Sequence, residues 1–65
     1  MKLHIEEIRE SKGISLSKLA KLIGISKSAL FYIERGATQP KLITMCRIAK
    51  ALDVHVVELF SYEDD

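Results

Sequence analysis

Apolar residues recur along the N-terminal part of the chain at the spacing of an amphipathic helix. The first run brings Ile5, Ile8 and Arg9 onto one face at i, i+3, i+4 spacing, and Gly13 follows it. Glycine adopts the left-handed conformation that ends many helices, because it has no Cβ atom. The pattern therefore predicts helix 1 over residues 2–12.

The next two runs are short, and each is preceded by a serine. Ser15 is a suitable N-cap for helix 2 over residues 16–23, and Ser26 for helix 3 over residues 27–35. A serine hydroxyl accepts a hydrogen bond from a free N–H group of the first helical turn. Gly24 follows helix 2, where that helix must end. The predicted inward positions are Leu19, Ala20, Ile23, Leu30 and Ile33.

The C-terminal half contains one longer run and one short run. Pro40 favours the start of helix 4, predicted over residues 41–52. Its inward stripe consists of Leu42, Met45, Ile48, Ala49 and Leu52. A short fifth helix is predicted over residues 56–60, followed by a frayed acidic tail over residues 61–65. The predicted fold class is all-α, a compact single domain of five short helices.

Helices 2 and 3 are predicted to form a helix-turn-helix. Each has about eight residues and is too short to be stable alone, so the two must pack together. Ala20 lets helix 3 cross close to helix 2, and Gly24 allows a sharp turn before Ile25. In such a motif the second helix is free to enter the major groove of DNA.

One side of helix 3 combines polar and aromatic residues, opposite the inward Leu30 and Ile33. A lysine donates to guanine acceptors, a serine pairs with either base type, and an aromatic ring contacts a thymine methyl group. The predicted base-contacting residues are Lys27, Ser28, Phe31 and Tyr32. Solvation of Lys27 and packing of Phe31 against a neighbouring loop are the alternatives.

Charge is distributed unevenly, although the formal net charge is only +1. Residues 1–52 hold all ten Lys and Arg with four acids, whereas residues 53–65 hold five acids and no Lys or Arg. Residues 11–33 contain four lysines and no acid. This asymmetry predicts a basic face for a polyanion and an acidic end directed away from it, with a solvated lysine face as the alternative.

A family resemblance rests on one continuous stretch, SLSKLAKLIGISKSALFYIERG, continued by QP and by LITMCRIAKALDV. The stretch resembles the lambda-repressor-like helix-turn-helix family of phage repressors, Cro proteins and XRE-type regulators. The resemblance covers about residues 5–60, and IERG followed by Pro40 is its most distinctive part. It implies a five-helix DNA-binding domain that regulates transcription, by default as a repressor, usually as a dimer on a palindromic operator.

The resemblance also assigns contacts by position. It implies base-edge contacts for Lys27, Ser28 and Tyr32. Phosphate candidates come from the resemblance together with the basic residues and helix starts nearby, and they are Ser15, Lys18, Lys21, Ser26, Arg35 and Lys41. The sequence departs from the family pattern at Leu16, where many members have a phosphate-contacting glutamine, and at Leu22, which is usually polar.

Two charged residues fall on inward stripes. Arg9 follows Ile5 by four positions, and Glu34 follows Leu30 by four. A buried charge without a partner is costly, so each of the two needs the other. The resemblance also suggests this pair. We therefore expect a structural ion pair between helices 1 and 3.

The last predicted helix is more apolar than a monomer requires, since Leu59 and Phe60 alone could close the core. We expect a homodimer that uses the same patch on both subunits. The predicted interface residues are Val56, Val57, Phe60 and Tyr62.

Enzyme chemistry is not indicated. The single cysteine, Cys46, is predicted to be partly buried, and His4 and His55 are predicted at the surface. No nucleophile, paired-carboxylate, phosphate-loop or metal-ligand spacing is present, so we predict a non-enzyme without cofactor, metal or small-molecule ligand. No apolar run approaches the roughly 20 residues of a membrane span, which predicts a cytoplasmic protein.

The rival function is a small helical protein-interaction module or an antitoxin-like partner protein. Leu16, Leu22 and Phe31 would then form an exposed apolar patch. The basic charge around helices 2 and 3 favours double-stranded DNA as the partner instead.

Overall fold

The computed structural model describes residues 1–62 of the chain. Within them, the elements in chain order are β1 (Lys2–Leu3), α1 (Ile5–Ser11), α2 (Leu16–Ile23), α3 (Lys27–Glu34), α4 (Leu42–Leu52), a 3₁₀ helix (Val56–Leu59) and β2 (Phe60–Ser61). Helix 2 has its predicted bounds. Helices 3 and 4 are each one residue shorter than predicted, because Arg35 and Lys41 are cap residues.

The prediction of five helices is not confirmed, since the described residues form four α-helices, one 3₁₀ helix and two short strands. Strands β1 and β2 pair antiparallel, with Leu3 opposite Phe60, and the N–H of His4 donates to the carbonyl of Leu59 at 2.8 Å. This pairing satisfies backbone groups that the first turn of a longer helix 1 would leave free. In place of helix 5 over residues 56–60, the 3₁₀ helix leads directly into β2, since adjacent β-branched valines disfavour an α-helix.

The same end of the molecule corrects two further predictions. The frayed tail is predicted from residue 61, but Ser61 lies in β2 and its hydroxyl is 3.0 Å from Nε2 of His4. His4, predicted at the surface, is partly buried and also lies 3.4 Å from a carboxylate oxygen of Glu7. The rest of the predicted tail, residues 63–65, lies outside the described residues.

Apolar side chains from all four α-helices and the 3₁₀ helix form one core. Its buried members are Ile5, Leu19, Ala20, Ile23, Leu30, Ile33, Met45, Ile48, Ala49, Leu52 and Leu59. Leu42 was expected on the inward stripe of helix 4 but is 74% exposed. The neighbouring Ile43 is also exposed, so the core contacts of α4 begin at Met45.

The predicted serine caps begin α2 and α3, and the predicted glycine stands in the turn between them. Oγ of Ser15 accepts a hydrogen bond from the N–H of Lys18 at 3.1 Å, and Oγ of Ser26 accepts one from Ala29 at 3.0 Å. Gly24 has a φ of +75°, which side chains with a Cβ rarely adopt. Since α2 and α3 pack against each other across this turn, it fixes the direction of α3.

Candidate nucleic-acid interface

Helix α3 has one side in the core and one side open to solvent. Leu30 and Ile33 are buried, while the four predicted base-contacting side chains are exposed on the opposite side. We refer to these four residues as the outer face of α3, and they are Lys27, Ser28, Phe31 and Tyr32. The structure therefore brings the predicted base-contacting set together on one surface.

The two aromatic residues of the outer face hold each other in place. The Phe31 and Tyr32 rings make an edge-to-face contact, with centroids 5.5 Å apart. The Arg35 guanidinium lies 5.1 Å from the centroid of the Phe31 ring, which is a cation–π distance. Phe31 is still 40% exposed and Tyr32 52% exposed. Both rings are therefore restrained and available to a ligand.

An open depression of about 180 Å³ lies on this surface. It is lined by the four outer-face residues together with Leu16, the first residue of α2. Sequence reasoning gave Leu16 no DNA-contacting role. Its place in the sequence is directly after the Ser15 cap at the start of α2, and in the structure it shares the depression with Lys27 and Ser28 at the start of α3.

The two helix starts beside the depression favour an anion. The first N–H groups of a helix lack intrahelical acceptors and carry partial positive charge. Neither α2 nor α3 has an acidic residue in its first turn. The caps Ser15 and Ser26 are exposed, so phosphate oxygens can approach these N–H groups.

Three of the predicted phosphate-contacting basic residues lie at helix ends. Lys18 lies in the first turn of α2, Arg35 caps the end of α3, and Lys41 is the N-cap of α4. All three are exposed. Each therefore remains available for the phosphate contact that the sequence predicts.

Lys21 lies in a different place from the other phosphate candidates. It lines an open groove of about 620 Å³ between the end of α2 and the second half of α4. We refer to it as the α2–α4 groove, and its lining residues are Lys21, Leu22, Ile23, Gly24, Arg47, Lys50 and Ala51. The structure therefore groups Lys21 with two cations of α4 that the sequence analysis did not assign.

Arg9 and Glu34 form a bidentate ion pair that joins α1 to the end of α3. Nε of Arg9 donates to Glu34 at 2.8 Å and Nη2 donates to the second carboxylate oxygen at 3.1 Å. Nη1 donates to the Ile14 carbonyl at 2.9 Å. Hydrogen bonding to Glu34 raises the pKa of Arg9, although burial acts in the opposite direction. The guanidinium therefore stays charged while it holds α3 in position.

The predicted dimer residues divide into two groups. Val57 is 67% exposed and Tyr62 is 74% exposed. Val56 and Phe60 are partly buried and pack against the core of their own chain. The outward apolar patch at this end therefore consists mainly of Val57 and Tyr62.

Cys46 differs from its prediction. It is exposed rather than partly buried, since it follows the buried Met45 by one residue and so points about 100° away from it around the helix. His55 is exposed, as predicted.

Within residues 1–62, no helix has the length and apolar character that a bilayer crossing requires.

Comparison with known proteins identifies the class to which this fold and surface belong. A family model described as helix-turn-helix matches residues 5–59, and the chain belongs to this lambda-repressor-like, XRE-type family. Over its full length the chain is 34% identical to an uncharacterized HTH-type transcriptional regulator, MJ0272 of Methanocaldococcus jannaschii, and covers 98% of that protein. It is also 39% identical over 62 residues to the regulator SinR of Bacillus licheniformis, covering 56% of SinR.

Two solved structures resemble the chain closely. The restriction-modification controller protein C.AhdI of Aeromonas hydrophila superposes with a TM-score of 0.82 at 38% identity, covering 86% of this chain and 85% of that one. The biofilm master regulator SinR, in complex with DNA, superposes with a TM-score of 0.75 at 39% identity, covering 82% and 86%. The relatives named here are regulators rather than enzymes.

Proposed function

We propose that this protein is a sequence-specific transcriptional regulator that binds double-stranded DNA, acting as a repressor on a palindromic operator. The observation that carries the proposal is the outer face of α3, where two restrained aromatic rings, a lysine and a serine stand opposite the buried Leu30 and Ile33. A helix with this arrangement docks in the major groove with its outer side against the base edges.

The outer face supplies three kinds of base contact. Lys27 donates to the O6 and N7 acceptors of guanine, and Ser28 hydrogen-bonds either base type. Phe31 contacts a thymine methyl group, and the Tyr32 hydroxyl donates to or accepts from a neighbouring base. These side chains determine which sequence is bound.

Phosphate contacts position α3 without specifying sequence. Backbone N–H groups at the Ser15 and Ser26 helix starts bind phosphate oxygens, and the surrounding basic residues add charge. The side chains in this second role are Lys18, Arg35 and Lys41, and Lys21, which lies in the α2–α4 groove, contributes less. Support comes from the family, since SinR is a relative whose structure is a complex with DNA.

Binding to a palindrome calls for two copies related by twofold symmetry. We place the dimer contact at the C-terminal apolar patch, where Val57 and Tyr62 are exposed and Val56 and Phe60 lie behind them. The acidic residues Asp53 and Glu58 are near this end in the sequence, which suits a surface directed away from DNA.

Enrichment of duplexes from a random library, followed by affinity measurement on the enriched and a scrambled duplex, tests the proposal. The expected result is a consensus with inverted half-sites and tighter binding to it than to the scrambled duplex. Sedimentation at tens of micromolar is expected to show a dimer, with or without DNA. Failure to bind any duplex at low salt would contradict DNA binding and favour the protein-interaction alternative.

A further inference from the structure

Leu16 occupies the border between the core and the proposed DNA surface. Part of its side chain packs against the buried core, and part lines the depression beside the outer face of α3. As the first residue of α2, it follows the exposed Ser15 cap. The core therefore holds this side chain at a fixed place on the surface.

The depression has an apolar part and a part that can form hydrogen bonds. Leu16 and Phe31 provide its apolar part, whereas Lys27, Ser28 and the Tyr32 hydroxyl provide hydrogen-bonding groups. On the major-groove side, thymine presents both an acceptor, O4, and a methyl group, on adjacent ring atoms. Guanine and adenine present acceptors or donors without a methyl group, and cytosine presents only a donor. Thymine is the base whose edge matches both parts of the depression.

The size of the depression agrees with this match. The depression is open to solvent and has a volume of about 180 Å³, which leaves room for a methyl group together with the adjoining ring edge.

We propose that Leu16 is a specificity-determining residue: with Phe31 it forms the apolar subsite that receives the 5-methyl group of a thymine. The inference rests on the proposed function, and it deepens that function by adding an α2 side chain to the base-contacting set. The leucine side chain has no hydrogen-bonding group, so it can contact a base only through its apolar surface.

Replacing thymine by deoxyuridine removes only the methyl group and so tests the subsite directly. The probe is the duplex enriched by the wild-type protein, with each thymine replaced by deoxyuridine in turn at the same place in both half-sites. We expect one position in each half-site to show about a fourfold loss of affinity, the value for one methyl group withdrawn from an apolar contact. Other positions should change little.

The role of Leu16 is tested by measuring the affinities of variants for the same thymine and deoxyuridine duplexes. Leu16→Ala should reduce the difference in affinity between the thymine and deoxyuridine duplexes at that position, because only Phe31 is left to contact the methyl group. Leu22→Ala is the matched control, since Leu22 is an exposed leucine of the same helix outside the depression, and it should keep the fourfold difference. Leu16→Met retains an apolar side chain of similar volume and should keep most of it, which guards against a general loss of folding in Leu16→Ala.

The possible outcomes distinguish failure of the methyl subsite from failure of the proposed DNA-binding function. Sequence-specific binding without any deoxyuridine-sensitive position would overturn the methyl subsite and leave DNA binding intact. A fourfold difference that is undiminished in folded Leu16→Ala would assign the subsite to Phe31 alone and overturn the role of Leu16. If no duplex is enriched at all, the proposed function fails and the subsite fails with it.

Discussion

The depression beside α3 and the α2–α4 groove both combine cations with apolar side chains, but they lie at opposite helix ends. The depression includes Leu16 and Lys27, the first residues of α2 and α3. The groove includes Lys21 and Lys50, which lie in the last turns of α2 and α4. The two sites differ in the partial charge of the helix end beside each cation.

A helix carries partial negative charge at its C-terminus and partial positive charge at its N-terminus. Lys21 and Lys50 therefore complement the ends of their own helices. Lys18, Lys27 and Lys41 stand at helix starts, where a cation adds to charge of the same sign. Such placements weaken the free protein slightly and favour binding of an external anion, so the larger groove is not the better candidate for DNA.

The largest expected effect concerns the ion pair that holds α3 against α1. Arg9→Ala or Glu34→Ala should each lower the free energy of unfolding by roughly 3–5 kcal/mol, because each leaves a buried charge without its partner. Denaturant titration measures the change. Because the pKa of Arg9 is raised in the folded state, its contribution is complete at neutral pH and is lost only as pH rises through that strongly alkaline value.

The controls for the ion pair separate charge from packing. Replacing both residues together, as Arg9→Met with Glu34→Leu, should cost much less than either alanine variant, since no charge is left unpaired. Glu10→Ala changes an exposed acid of the same helix and should stay within about 0.5 kcal/mol of wild type. Single alanine variants that unfold at the wild-type denaturant concentration would refute the structural role.

The second prediction compares base and phosphate contacts. Lys27→Ala or Tyr32→Ala should lose about 1–3 kcal/mol of binding free energy on the enriched duplex and little on the scrambled one. Lys41→Ala or Arg35→Ala should weaken binding to both duplexes alike. Fluorescence anisotropy on the two duplexes distinguishes the classes. The same pattern for Lys27→Ala and Lys41→Ala would mean that α3 does not contact base edges.

The third prediction tests whether Lys21 belongs with the helix-start cations. Removing a full phosphate contact flattens the log–log dependence of affinity on salt by about one unit. Lys18→Ala should show that change, and Lys21→Ala a smaller one, since Lys21 lies in the α2–α4 groove. Arg47→Ala is the control from the same groove and should leave the slope unchanged. A slope for Lys21→Ala equal to that of Lys18→Ala would remove the distinction between the two surfaces.

The parts of the molecule that were predictable from sequence depend on neighbours along the chain. The bounds of α2 follow from Ser15 and Gly24, whose cap hydrogen bond and positive φ are local properties. The grouping of the outer face follows from helical spacing alone. The stripe positions of Arg9 and Glu34 indicated that two charges would be buried near each other, and the structure shows them 2.8 Å apart.

The parts that were not predictable depend on contacts between distant residues. The pairing of Leu3 with Phe60 replaces predicted helix at both ends of the described chain. No local sequence pattern indicates this pairing. Leu42 fits the inward stripe by spacing but is exposed, because the core contacts of α4 begin only at Met45. Leu16 was treated as a departure from the family pattern, and only the packing of α2 on α3 places it in the depression.

The smallest expected effect tests the charge argument in the absence of DNA. Lys27→Gln removes a cation from the start of α3, so it should raise the stability of the free protein by about 0.3–1 kcal/mol. Lys50→Gln removes a cation from the last turn of α4 and should lower stability by a similar amount, about 0.3–1 kcal/mol. Glutamine and lysine have similar helix propensities, so propensity does not obscure the comparison. Thermal unfolding at low ionic strength measures both changes, and added salt should reduce them. If the two variants shift the melting temperature in the same direction, helix-end charge does not distinguish the depression from the α2–α4 groove, and the proposed DNA surface then rests on the side chains of α3 alone.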